Sequence, residues 1–69
     1  MSNLIVDLPP LLTPKELAEF LRISQVSVYR LVDKRALSFI KIGGSLRFQR
    51  EDVEEFLKQN RVKNFRELQ

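Results

Sequence analysis

The 69-residue sequence contains no cysteine and no histidine. Disulfide staples, thiolate or imidazole metal sites and the common nucleophile–base pairs are therefore closed to it. It also lacks any apolar run near the roughly 20 residues that a membrane-crossing helix needs. The short run Leu4-Ile5-Val6 is broken at Asp7 and stopped by Pro9-Pro10. The N-terminus has neither the basic start nor the long apolar stretch of a secretion signal, so cytoplasmic residence without a membrane partner is expected. Internal repeats and low-complexity segments are absent as well.

Carboxylates remain, but Glu16, Glu19, Glu51, Asp52, Glu54 and Glu55 fall in helix-like segments and read as solvated faces. A chain this short makes one domain at most, near the lower limit for unaided folding. Too little of it remains to wall a pocket of about 300 Å³ or more. Neither an enzyme nor a binder of cofactors, metals or small substrates is expected. An apolar content of 43% is nevertheless enough for a core and too high for a disordered tail.

What the sequence has in excess is positive charge, unevenly placed. Arg22, Arg30, Lys34, Arg35, Lys41, Arg47 and Arg50 lie within residues 22–50, against the single acid Asp33. That stretch is +6, while the flanks, with five bases against eight acids, are −3, so the net +3 hides the asymmetry. A one-signed patch repels itself and calls for an anionic partner, of which nucleic acid is the commonest.

Helix signals frame this patch. Thr13 is an N-cap, Pro14 suits the first helical position and Glu16 completes a capping box. Leu17, Ala18 and Leu21 share a face, which predicts a helix from about Pro14 to Leu21. Arg22-Ile23 is a short connection, and Ser24 caps a second helix whose stripe is Val28, Leu31 and Val32. Two short helices joined by a tight turn make a helix-turn-helix. After Leu37 the period drops to two, and Ile40, Ile42, Leu46 and Phe48 read as the core face of a β-hairpin. Pairing Ile42 with Leu46 and Ile40 with Phe48 requires a three-residue loop, Gly43 to Ser45. It also sets Lys41 directly opposite Arg47 on the exposed side, mildly repulsive until a phosphate arrives. A last helix begins near Arg50, with Val53, Phe56 and Leu57 buried; Val62, Phe65 and Leu68 hint at further turns interrupted at Asn60. Residues 1–11 read as an arm, 12–60 as the domain and 61–69 as a tail.

The combination suits double-stranded DNA. A major groove about 12 Å wide admits a helix, and the N-terminal part of a second helix presents its side chains to base edges. Here those are Gln25, Val26, Ser27 and Arg30: glutamine for adenine, arginine for guanine, valine for a thymine methyl. Ser24 and the helix N-terminus suit a phosphate. Tyr29 can donate its hydroxyl to a phosphate or simply rest on the core margin. Lys34 and Arg35, with Lys41, Gly44, Ser45 and Arg47 of the hairpin acting as a wing, are the expected backbone or minor-groove contacts. Sheet-type RNA binders need exposed aromatics, and this hairpin offers only Phe39 and Phe48.

The run Leu12-Thr13-Pro14-Lys15-Glu16-Leu17-Ala18-Glu19-Phe20-Leu21 resembles the first helix of excisionase-family DNA-binding domains. These are small winged helix-turn-helix proteins related to MerR-type regulators. Val28-Tyr29-Arg30-Leu31 resembles the family's second helix. Lys41-Ile42-Gly43-Gly44, Arg47-Phe48 and Arg50-Glu51-Asp52-Val53-Glu54-Glu55-Phe56-Leu57 resemble its wing and third helix, so the likeness spans residues 11–57. It implies a mostly α, α+β winged helix-turn-helix of two short helices, a two-stranded wing and a third helix. It also implies a DNA-bending factor that binds tandem sites beside an integrase and biases recombination toward excision. Similar domains serve as small transcription regulators of phages and mobile elements. A module docking on a protein through residues 61–69 is the alternative of another class. With no long heptad after the last helix, side-by-side assembly on DNA is expected rather than a coiled-coil dimer. Arg22 and Arg35 stand where the family usually has glycine: either the backbone differs there, or each arginine costs roughly 1 kcal/mol and its charge is useful. Ser38 stands where proline is common, which loosens the approach to the wing.

Overall fold

In the computed structural model, residues 7–62 are described. The helix signals act as written. Helix α1 spans Pro14–Leu21. The Glu16 N–H donates to Thr13 Oγ1 at 3.1 Å, and the Thr13 N–H donates back to Glu16 Oε1 at 2.9 Å. Helix α2 spans Gln25–Asp33, and Ser24 caps it by accepting from the Ser27 N–H at 3.0 Å.

Both helices stop in the same way. Arg22 adopts φ 58°, ψ 44°, and the next N–H, that of Ile23, reaches back to the Ala18 carbonyl at 3.0 Å. Arg35 has φ 59°, and the Ala36 N–H reaches the Leu31 carbonyl at 2.9 Å. Each is a Schellman-type end with a left-handed residue, the position that glycine fills without strain. The backbone therefore does not differ, and each arginine carries its cost of roughly 1 kcal/mol.

A hairpin follows, with β2 at Ile40–Ile42 and β3 at Ser45–Gln49, and β3 leads directly into helix α3, Arg50–Gln59. Two sequence expectations fail here. First, the sheet has a strand beyond the expected two: Leu11–Leu12, where the arm was expected to meet the domain, forms β1, pairing antiparallel with Gln49 and Phe48. The sheet has three strands, in the order β1-β3-β2. The arm is further tied down at α3, where the Arg50 N–H donates to the Pro10 carbonyl at 3.1 Å and Arg50 Nη1 to the Leu8 carbonyl at 2.9 Å.

Second, the hairpin register is shifted. Ile42 pairs with Ser45, Lys41 with Leu46 and Ile40 with Arg47, leaving a two-residue loop, Gly43-Gly44. Gly43 has φ 61° and is the loop glycine at positive φ, the pattern of a type II′ turn whose twist suits a tight hairpin. The physical reason is β1. Leu12 lies opposite Phe48, and both are fully buried, so the core on this side is filled without the isoleucines. Ile40 is half-buried and Ile42 is 53% exposed, on the sheet face that also carries Ser45 and Arg47. Lys41 and Arg47 thus lie on opposite faces and do not oppose one another.

The core consists of Leu12, Leu17, Ala18, Val28, Val32, Leu37, Phe48 and Val53, with Leu8, Phe20, Leu21, Leu31, Phe39, Leu46 and Phe56 packed around it. It therefore sits where α1, α2 and the start of α3 meet β1 and β3. No buried polar side chain interrupts it among the described residues. Leu57, expected inside, is 39% exposed. Helix α3 ends before Asn60, whose Nδ2 donates to the Phe56 carbonyl at 2.8 Å. Val62 is exposed, while Phe65 and Leu68 lie outside the described residues.

Candidate nucleic-acid interface

Helix α2 buries Val28 and Val32 and turns Gln25, Val26, Tyr29, Arg30, Asp33 and Lys34 to solvent. Positions 25, 26, 29 and 30 fall on one outward face at helical spacing. On it Val26 is 58% exposed, where its side chain can meet a base methyl. Ser27 is different. It is half-buried and its hydroxyl is hydrogen-bonded with that of Ser24 at 2.9 Å, so the two serines form one capping unit at the helix start. No acidic residue occupies the first turn of α2, which leaves its positive dipole end uncompensated.

Two grooves flank this face. On the wing side a cleft of about 630 Å³ is lined by Pro14, Tyr29, Asp33, Arg35, Phe39, Lys41, Gly44, Ser45, Leu46 and Arg47, with Val32 at its floor. It gathers six of the expected backbone contacts into one place. It also corrects the expectation that so short a chain walls no space of that size. Cations dominate its rim, Arg35, Lys41 and Arg47 against Asp33. Tyr29 is 45% exposed and lines this cleft. On the other side, Ser27, Arg30 and Lys34 border an apolar groove of about 460 Å³ formed with Leu21, Ile23, Leu31, Phe56 and Leu57. Ser24, Gln25 and Val26 line neither groove and stand on the face between them.

The seven cations of the basic stretch are not equivalent. Arg50 is committed to the Leu8 carbonyl. Arg47 is half-buried and its Nη1 donates to the Leu46 carbonyl at 2.7 Å. Arg22, Arg30, Lys34, Arg35 and Lys41 are exposed. The ion pair found among the described residues, Lys58 with Glu54 at 4.0 Å, lies on α3 and uses none of these cations. Arg35 lies over the Phe39 ring, 5.7 Å from its centroid, a cation–π contact that directs the guanidinium along the cleft. Sequence reasoning named Arg35 but missed Phe39 as its platform; residues 35–39 are not helical, so no local spacing signals the contact. It gave Arg22 a useful charge but no place in the interface.

A capped pair of short helices, an exposed second helix and a hairpin beside it define a winged helix-turn-helix. Its cations project from the second helix and the wing, as a DNA-binding surface requires. Residues 11–61 match the helix-turn-helix domain family, and the chain belongs to it. The protein is accordingly a helix-turn-helix DNA-binding domain. Comparisons with curated proteins and with solved structures give no match. No described helix is long and apolar enough to cross a membrane.

Proposed function

We propose that the chain is a sequence-specific, excisionase-like recombination directionality factor that binds and bends double-stranded DNA beside an integrase. The observation that carries this reading is the junction of a reading face with a holding surface. Gln25, Val26 and Arg30 are presented on one side of α2, next to a wing cleft rimmed by Arg35, Lys41 and Arg47. In this reading α2 enters the major groove, with Gln25, Val26, Ser27 and Arg30 at base edges. Ser24, Tyr29, Lys34 and Arg35, and the wing residues Lys41, Gly44, Ser45 and Arg47, hold the backbone or reach a minor groove. A helix in one groove and a wing beyond it grip the duplex over a distance at which bending brings more surface into contact. Helix α3, only ten residues long, is too short to seed a coiled-coil dimer. Neighbouring copies would therefore line up along DNA.

Binding-site mapping on the host element, combined with a bend measurement, tests the proposal. Tandem protected sites beside the integrase site, with a measurable bend, are expected. A single site over a promoter, with recombination indifferent to the protein, would make it a transcription regulator instead. Duplex binding retained after residues 61–69 are removed would argue against the protein-interaction reading.

A further inference from the structure

We propose that Arg22 and Arg35 form a pair of phosphate clamps bracketing α2, kept in left-handed backbone for the charge they place there. The inference rests on the DNA-binding reading above and adds to it a residue, Arg22, and a cause for the strain. Among the described residues, these two are the non-glycine positions at positive φ. Both occur at Schellman-type ends, where closing the hydrogen bonds fixes the left-handed residue and its Cβ crowds the following carbonyl. Glycine would meet the same geometry without that crowding, yet both positions carry arginine.

At Arg22 nothing within the described fold offsets the strain; at Arg35 the Phe39 ring offsets part of it. The Arg22 side chain is exposed and makes no hydrogen bond or ion pair there. Arg35 has the Phe39 ring beneath it and no carboxylate. A strained residue persists where the surroundings or a ligand use it.

Position supplies the use. The two arginines sit at opposite ends of α2, Arg22 two residues before its cap and Arg35 two residues past its last turn. Nine residues at 1.5 Å each make α2 about 14 Å long. The major groove, about 12 Å wide, takes a helix between its two phosphate walls, and residues just beyond the ends of that helix come within side-chain reach of the backbone. An arginine fork donates to two phosphate oxygens at once. Phe39 lies beneath the Arg35 guanidinium, and Arg22 is exposed in the turn that precedes the readers Gln25 and Val26.

The test uses Arg22→Gly, Arg35→Gly and the lysine versions of both, with thermal melting and titration of a short random-sequence duplex across salt concentrations. Arg22→Gly should melt higher, by roughly 4–8 °C for a domain of this size, and Arg35→Gly by less, because it also loses the Phe39 contact. Each should bind several-fold to tenfold more weakly, and its log–log salt slope should shrink by about one. The lysine variants should keep the slope. Higher melting with unchanged affinity and slope would overturn the clamp. Glycine variants that melt lower than the parent would make the arginines structural and overturn it as well. If the parent itself showed no salt-dependent duplex binding, the DNA-binding reading would fall first and take the clamp with it.

Discussion

Substituting Arg47 and Lys41 with alanine, singly and together, decides the register of the wing. Arg47 lies opposite Ile40, half-buried, with its guanidinium on the Leu46 carbonyl. Removing it loses a partly screened hydrogen bond and the packing of its methylene stem, together about 1 kcal/mol. The melting temperature should fall by roughly 4–8 °C. Lys41 is exposed opposite Leu46, and Lys41→Ala should stay within about 0.5 kcal/mol of the parent. Because the two side chains leave opposite faces of the sheet, their effects should add to within about 0.5 kcal/mol. Directly opposed like charges would behave otherwise: Arg47→Ala would be neutral or stabilising, and the double-mutant cycle would show repulsion of about 0.2–1 kcal/mol. Urea or thermal unfolding of the four proteins measures all of this. An Arg47→Ala protein at least as stable as the parent, or a repulsive coupling above about 0.5 kcal/mol, would refute the two-residue loop.

Further outcomes concern binding and the turn. With five exposed cations on this surface, about four neutralised phosphates give a log–log salt slope near −3 to −4, and a flat titration would remove the electrostatic basis of the interface. Gln25→Ala and Arg30→Ala should each cost about 1–3 kcal/mol on the cognate site and little on random DNA, whereas Lys41→Ala should weaken both alike; equal losses for Arg30→Ala on both duplexes would remove it from the readers. Gly43→Ala meets no atom within 4 Å but must hold φ 61°, so a destabilisation of about 1 kcal/mol should come from backbone strain alone. A neutral result in denaturant titration would mean that the loop has another geometry.

The helices were legible because their signals are local. Thr13, Pro14 and Glu16 name a helix start within four residues, and the structure begins α1 at Pro14. The spacing of Val28, Leu31 and Val32 set the buried stripe of α2 in the same way, although Leu31 is only partly covered. The wing was misread because its register depends on a partner far along the chain. Ile40, Ile42, Leu46 and Phe48 alternate convincingly, and with only two strands in view all four seem needed for the core. Once Leu12 covers Phe48, that need disappears and the Gly43-Gly44 turn chooses the pairing. The charge footprint was legible as a sum but not by residue. Nothing local announces that Arg50 turns back to Leu8 while Arg22 stands free of any carboxylate.

The three-strand sheet also bears on crowding. Molecules packed in a row along a duplex reach high local concentration, and a sheet with an open margin would then recruit its neighbour by strand addition. Here the central strand, β3, pairs with β2 over Ser45–Arg47 and with β1 over Phe48–Gln49. One margin, β1, is two residues long and follows Pro9-Pro10, which have no N–H to offer. The other, β2, is three residues long with Lys41 at its middle. Both margins are short and interrupted, which discourages strand addition, so in the proposed side-by-side assembly contacts between neighbours would be made by side chains. Such contacts would be released with the DNA, and copies could gather on a target without the irreversible joining that long exposed strand margins invite.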